Sequence, residues 1–370
     1  MRVLFLTHTF DNGGVEKNNF QLIATFQKIA PDIMDIRVDS LIGGGVFFDP
    51  TFCKILMPIN IPIQKMRRSK LLLYSIILCF LPIIIWKLKK EIKQFRPDVI
   101  CTNMWLSDIL TALFIKNIRI FSIQHDVVRV SPVIKYFKTK ALNRISKVIA
   151  ISESVKCFLM DYFLVPENKI ETIYHGVDFD KFSVGQKENS SGSLVFGTIA
   201  RLDKIKGHIY ILEALKILKQ KNITPKYIIV GSGSEENTLR NFVRDNSLDN
   251  VCFFKEAIDV VPLLKEIDVF VMPSLSEGLG IAVIEAMVAR KLLIVSDIQA
   301  LRELVKNDLT GILVEVGNIH KWSDIIEWAI CNREKVTEIK NNSYAWIVNN
   351  KADFDMASSA NKYLKIILKK

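Results

Sequence analysis

Arg201 and Lys206 lie five positions apart in TIARLDKIKGH, between an apolar run that reads as a strand and a helix that opens at Gly207. Two cations beside a helix N-terminus, whose first N–H groups have no intrahelical partner, suit a diphosphate. Further on, PSLSEGLGIAVIEAM puts Glu277 at the end of a loop and Glu285 one to two turns into the next helix. Carboxylates accept hydrogen bonds from vicinal sugar hydroxyls. Gly278 and Gly280, between the two acids, leave backbone N–H groups open to a phosphate or a sugar. Near the start, THTFDNGGVEKNNF places Gly13 and Gly14 in the first strand-to-helix loop, where a backbone can approach an anion closely. Neither this loop nor GSGSEE at 231–236 completes a dinucleotide G-x-G-x-x-G. Each feature alone is also what an ordinary solvated loop shows; the weight lies in their order along the chain.

Strands and helices must hold these loops. RVLFLT, DVICT, RIFSI and KVIAI alternate with helical patterns over residues 16–29, from Ser107, over 133–142, and behind a Ser152 cap. A polar stretch, SVGQKENSSGS at 183–193, reads as a linker. Beyond it SLVFGTIA, KYIIVG, VCFF, DVFVM and LLIVS alternate with helices over 208–219 and 235–244, one ending near Glu266, and one over 281–289. This alternation predicts two doubly wound parallel α/β domains, with ligands at the carboxyl ends of the strands and between the domains. A length of 370 residues fits two such domains.

Composition narrows the function classes. With 49% hydrophobic and 24% charged residues the chain is neither disordered nor collagenous. Six cysteines without a C-x-x-C pair argue against a zinc site or a disulfide framework and for a reducing cytosol. The apolar run in MRVLFLTHTF is too short for a secretory h-region. The net charge of +11 is unevenly spread: residues 65–147 hold 17 Lys and Arg against four acids, so the rest of the chain is slightly acidic. Inside that basic stretch LLLYSIILCFLPIIIW, residues 71–86, is flanked by KMRRSK and KLKK. It is shorter than the roughly 20 apolar residues of a spanning helix, and Pro82 interrupts it, so a buried or interfacial helix is expected.

GGVE at 13–16, HGVD at 175–178, IARLDKIKG at 199–207, VGSGSEE at 230–236 and PSLSEGLGIAVIEAM at 273–287 together resemble the ordered motifs of the family 4 retaining glycosyltransferases, glycosyl transferases group 1. The resemblance implies the α/β GT-B fold, two Rossmann-like domains facing a central cleft. The expected parts are an acceptor-binding domain over 1–182, a linker over 183–193, a nucleotide-sugar domain over 194–350, and a C-terminal helix, 351–370, returning to the first. It implies transfer of a sugar from a nucleotide diphosphate, expected to be a UDP-sugar, with retention of configuration. By this resemblance Arg201 and Lys206 bind the diphosphate and Glu285 the ribose. Glu277, with the backbone of Gly278, Leu279, Gly280 and Ile281, holds the transferred sugar and phosphates. His125, ending RIFSIQHD, contacts the donor sugar near the reacting centre, Gly14 approaches the phosphates, and Glu16 touches the acceptor. No metal and no cofactor are expected. The two DFD strings, 178–180 and 353–355, are read as structural.

The chain departs from the family pattern in two places. EAMVARKLL has Arg290 and Leu292 where Gly and Pro are common, and DIQALRE replaces a Gly-Gly-x-x-E loop, with Ala300 ahead of Glu303. Other classes weighed are a GT-B sugar-nucleotide epimerase or phosphorylase and a basic nucleic-acid-binding protein. The last lacks the interleaved aromatic and basic residues of a nucleic-acid motif, and no nucleic-acid partner is expected. The acceptor is expected to be a glycan, lipid-linked, in bacterial surface polysaccharide synthesis. The place of work is then the inner face of the cytoplasmic membrane, reached by peripheral contact with anionic lipid through residues 71–86 and their basic flanks.

Overall fold

A computed structural model describes residues 1–9, 14–43, 53–57, 70–183, 193–255 and 259–369, with the side chains of 9, 14–16 and 70–74 excepted. The chain divides into two compact units, Met1–His175 with Ser359–Lys370, and Gly176–Ser358. Residues 184–192, most of the expected linker, lie outside the described residues.

Unit 1 carries a seven-stranded parallel sheet of β1 (Arg2–Thr9), β2 (Asp35–Gly43), β3 (Cys53–Ile55), β4 (Val99–Thr102), β5 (Arg119–Gln124), β6 (Lys147–Ala150) and β7 (Ile170–Thr172). Its order is β3-β2-β1-β4-β5-β6-β7, so the winding reverses between β1 and β4. The helices are α1 (Gly14–Ile29), α2 (Lys70–Phe95), α3 (Trp105–Phe114), α4 (Pro132–Arg144) and α5 (Glu153–Phe163). Ser152 caps α5 as expected, its Oγ accepting from Val155 N–H at 3.0 Å.

Unit 2 starts with the short α6 (Phe179–Phe182) and builds a six-stranded parallel sheet from β8 (Val195–Ile199), β9 (Lys226–Val230), β10 (Cys252–Lys255), β11 (Val269–Met272), β12 (Leu292–Ser296) and β13 (Ile312–Val314). The order β10-β9-β8-β11-β12-β13 repeats the reversal, here between β8 and β11. Around it lie α7 (His208–Gln220), α8 (Glu236–Asp245), α9 (Val261–Glu266), α10 (Ile281–Val288), α11 (Gln299–Leu304), α12 (Ile319–Cys331), α13 (Arg333–Asn349) and α14 (Lys351–Phe354). VFVM and LLIVS are buried along their whole length, as strands must be when helices cover both faces of a parallel sheet. Fully buried Trp322, Tyr227, Phe196 and Ile211 belong to the core on one face.

The last helix, α15 (Met356–Leu368), contributes Ser359 onward to unit 1. There Tyr363 is fully buried with its ring 6.4 Å from Phe26 of α1, and Arg119 of β5 donates to the carbonyls of Ile367 and Lys369.

No expectation covers β2. DIRVDSLIG carries three charges that break an apolar run, yet Asp39 is buried in it. Arg37 Nε donates to Asp39 Oδ1 at 3.1 Å and also pairs with Glu91 on α2. Burial still pushes the Asp39 carboxyl up, to about 6, against the pull of Arg37.

The 71–86 segment forms most of α2 and has two faces. Ile77, Ile84 and Leu88 are buried, while Leu78, Ile83 and Trp86 point outward at 68%, 41% and 61% exposure. Exposed Lys89, Lys90 and Lys93 continue that outer face, with Lys90 Nζ 5.4 Å from the Trp86 ring centre. Among the described residues no helix is long and apolar enough to cross a membrane.

Candidate active site

In unit 2 the site lies at the carboxyl ends of β8 and β11, the neighbouring strands at which the winding reverses. Open α/β sheets bind ligands at such a point. Three loops meet there. Leu275 N–H donates to Ile205 O at 2.8 Å, joining the loop after β11 to the loop after β8. Leu202 N–H donates to Ser232 O at 2.9 Å and Glu235 N–H to Leu202 O at 2.8 Å, which brings in the GSGSEE loop after β9.

Two of these loops end on left-handed glycines that start helices. Gly207 has φ +65° and caps α7; a Cβ there would lie 2.1 Å from the Pro273 carbonyl oxygen. Gly280 has φ +90° and caps α10. Neither helix has a side-chain cap, so both N-termini keep N–H groups for an incoming anion.

Lys206 Nζ donates to Glu277 Oε1 at 2.6 Å, and both side chains are mostly buried. Two motifs far apart in sequence thus meet directly. Arg201 is half exposed and turns to Asp203 at 2.8 Å rather than toward Lys206. Beneath it the Arg201 carbonyl is 3.0 Å from His208 Nε2. Burial lowers His208 to about 4. Glu285 is half-buried in the second turn of α10, and Leu279 is fully buried below the loop. Ile281 is the first residue of α10, next to Gly280, and Gly278 stands one residue after Glu277. Such an arrangement can hold a diphosphate on a lysine, an arginine and two helix ends, with carboxylates facing sugar hydroxyls.

In unit 1 His125 follows β5 and is 6% exposed. Its ring centre lies 6.3 Å from that of His175, three residues past β7. Burial, reinforced by the Lys138 charge, lowers His125 to about 4. Half-buried Lys138 of α4 also lies over the Phe163 ring at 4.7 Å and depresses His8, which burial brings to about 3. Burial lowers Lys138 itself, while Asp108 and Asp126 pull it back up. Asp108 is fully buried and accepts from Thr102 Oγ1 and Ser122 Oγ, both at 2.6 Å, and from Gln124 Nε2 at 2.9 Å. Burial nonetheless raises its carboxyl. His8 Nε2 accepts from Leu106 N–H at 3.0 Å, so its proton sits on Nδ1.

Gly14 opens α1 at the carboxyl end of β1, and Glu16 follows in the first turn; its side chain and Gly13 lie outside what is described. Both DFD strings have local duties. Asp178 Oδ1 caps α6 by accepting from Lys181 N–H at 3.0 Å, and Asp355 Oδ2 accepts from Ser358 N–H at 3.1 Å.

Sequence reasoning gave no role to Asp108, Lys138, Ser274 or His175. Ser274 is fully buried where the loop leaves β11, and its Oγ has no hydrogen-bond partner among the described residues. HGVD marked His175, but only burial and the closeness of His125 single it out.

Residues 62–181 match the family described as Glycosyltransferase Family 4, and residues 180–346 match Glycosyl transferases group 1. A UDP-Gal:alpha-D-GlcNAc-diphosphoundecaprenol alpha-1,3-galactosyltransferase of Escherichia coli is 29% identical over 299 residues, covering 74% of this chain and 71% of that one. The capsular polysaccharide biosynthesis glycosyltransferase CapM of Staphylococcus aureus is 28% identical over 243 residues, and the chain spans 63% of its length. Among solved structures, Anabaena Alr3699/HepE in complex with UDP and glucose superposes with a TM-score of 0.81 at 19% identity, covering all of both chains. At that identity the likeness speaks for the fold. Taken together, the two family matches, the relatives and the paired doubly wound sheets place the chain among the family 4 glycosyltransferases, glycosyl transferases group 1, with the GT-B fold.

Proposed function

We propose that the chain transfers a sugar from a UDP-sugar to a lipid-linked glycan acceptor, with retained anomeric configuration and without a required metal, in assembly of a bacterial surface polysaccharide. The observation that carries the donor reading is the Lys206–Glu277 pair, set beside two uncapped helix N-termini at the strand reversal of unit 2. The Escherichia coli relative is named for a UDP-galactose donor and a diphosphoundecaprenol acceptor, and Alr3699/HepE is a UDP complex.

In this reading Arg201, Lys206 and the N–H groups from Gly278 to Ile281 stabilise the negative charge that grows on the departing diphosphate. Glu285 accepts from the ribose hydroxyls, and Glu277 and His125 hold the transferred sugar. Gly14 lies by the phosphates and Glu16 by the acceptor. The bond from the anomeric carbon to the diphosphate oxygen breaks, and a bond to the acceptor oxygen forms on the same face. The acceptor proton passes to the leaving phosphate oxygen. The outer face of α2, with Trp86, Leu78 and Ile83 running into Lys89, Lys90 and Lys93, supports peripheral contact with an anionic leaflet, where a lipid-linked acceptor resides.

Incubation with a panel of UDP-sugars and undecaprenyl-linked sugar acceptors, with and without EDTA, tests this. NMR of the product should show the anomeric configuration of the donor and equal yield with the chelator. An inverted product, or conversion of the UDP-sugar into its epimer without acceptor, removes the reading.

A further inference from the structure

Among the described residues three acidic or basic side chains besides histidine are buried: Asp39, Asp108 and Lys291. The two acids accept hydrogen bonds, Asp39 from Arg37 and Asp108 from Thr102, Ser122 and Gln124. Lys291 is only 2% exposed, yet its ammonium has neither a hydrogen bond nor an ion pair among the described residues. Desolvating a lone charge is costly, so buried charges are as a rule paired.

Lys291 stands just ahead of β12, at the amino end of the unit 2 sheet. Leu292 N–H donates to Asp268 O at 3.1 Å, which sets Lys291 beside the residue that precedes β11. On its other side Arg290 holds φ +55°, a left-handed conformation uncommon for a residue with a side chain. The Arg290 guanidinium lies 3.8 Å from the Tyr344 ring centre, which fixes α13 against this loop. Lys340 stands one turn before Tyr344 on α13. It is half-buried and, like Lys291, its ammonium makes no hydrogen bond or ion pair among the described residues. The Asp268 carboxylate attracts both ammoniums from beyond ion-pair distance, and its Oδ2 accepts from Val195 N–H at 2.9 Å.

Two cations near one carboxylate leave a positive charge over. Burial lowers Lys291 to about 8, with Lys340 adding to the effect and Asp268 opposing it, so at pH 7 Lys291 still keeps its proton. An ammonium has donors and no acceptor, so the missing partner is an acceptor that carries negative charge. A tetrahedral oxyanion has oxygens for both ammoniums at once, and lysine binds phosphate as a point charge. The donor loops lie elsewhere: α10 begins beside them at Gly280, and its far end leads through Ala289 and Arg290 to Lys291.

We propose that Lys291 and Lys340 form an oxyanion site at the amino end of the unit 2 sheet, which takes inorganic phosphate or the phosphate group of a small metabolite. It stands apart from the donor site and from the UDP-sugar reading above.

The test uses Lys206→Ala as background, so that phosphate held by the donor loops is not counted, and adds Lys291→Met and Lys340→Met to it singly. Calorimetry gives Kd for inorganic phosphate and for glucose 1-phosphate, with ionic strength held constant by chloride. Each methionine should raise the phosphate Kd about tenfold, the loss of one charge-assisted contact. Without phosphate, Lys291→Met should melt at the background temperature or above, since an unpaired buried charge has gone. Phosphate should raise the melting temperature of the background more than it raises that of Lys291→Met. Tighter binding of the ester identifies a phosphorylated metabolite as the ligand, and equal or weaker binding identifies the free ion. A background that binds no phosphate overturns the proposal, as does a phosphate Kd that either folded methionine variant leaves within twofold. Should Lys291→Met fail to fold, Lys340→Met, which alters a half-exposed side chain, decides by itself.

Discussion

Lys206 Nζ lies 2.6 Å from Glu277 Oε1, a contact between residues 71 positions apart that joins the loop after β8 to the loop after β11. A diphosphate entering this site must share the ammonium with Glu277 or take it over. Lys206→Ala should therefore weaken UDP binding by roughly one to two decades, the worth of about 1.5–3 kcal/mol for a charge-assisted bond. Glu277→Gln should bind UDP as well as wild type or better, because the ammonium is released, yet turn over UDP-sugar more slowly. Calorimetry with UDP separates the two, and equal losses in both variants would contradict these roles.

The glycines at the two helix starts differ in what an added methyl would strike. At Gly207 a Cβ meets the Pro273 carbonyl oxygen at 2.1 Å, which is backbone; at Gly280 it meets Leu301 Cδ2 at 2.6 Å, the tip of a flexible side chain. Both positions also carry the left-handed strain of about 1–2 kcal/mol for a non-glycine residue. Gly280→Ala should lower the melting temperature modestly, and Gly207→Ala distinctly more, in thermal unfolding. The reverse order would mean that the loop after β11 shifts more easily than α11.

Acid should destabilise the fold before carboxylates titrate generally. Folded His8, His125, His175 and His208 titrate near 3 to 4, against 6.5 when exposed. Between about pH 4 and 6.5 the unfolded chain binds protons on these rings that the folded chain refuses, so stability falls as pH falls through 6.5. Asp39, raised to about 6, and Asp108, also raised, act in the opposite direction, because the folded form binds their protons first. The four rings outnumber the two raised acids, so the net effect is a loss of stability as pH falls. Melting temperature followed from pH 7.5 to 5 should drop by several degrees; a flat profile contradicts the buried neutral state.

Flotation with liposomes rich in anionic lipid should carry the protein upward at low salt and less at high salt. Leu78→Glu with Trp86→Glu changes only the outer face of α2 and should abolish flotation without lowering the melting temperature. Lys89→Glu should weaken adsorption roughly fivefold or more, given about 1 kcal/mol per basic residue near such a surface. Protein that stays at the bottom at both salt levels rules out α2 as a docking face.

The strands that read clearly in the sequence are those with unbroken apolar runs, such as VFVM and LLIVS, because burial on both faces leaves no choice of residue type. β2 escaped because its three charges break the apolar run, and Glu91, which completes the ion pairing of Arg37, lies 54 positions away on α2, where it leaves no mark near the strand. Three-residue strands such as β7 and β13 are too short to show a pattern. In the site, Lys206, Gly207, Glu277 and Gly280 were legible because loop chemistry demands glycines and charges at set positions. Asp108 and Lys138 were not, since a lone acid or lysine in a helix is ordinarily a solvated one. For α2 the composition was legible but its orientation was not; which residues face outward depends on what the inner face packs against.

Unit 2 is one continuous stretch of chain, whereas unit 1 is assembled from Met1–His175 and Ser359–Lys370. During synthesis the ribosome therefore releases every residue of unit 2 before it releases Tyr363, the side chain that fills the unit 1 core beside Phe26. Domains usually fold in the order they emerge, but here the first unit to begin is the last that can be finished. Until α15 arrives, the nascent β1–β7 sheet exposes the apolar surface that α15 will cover, which makes that interval the time when a chaperone would be needed.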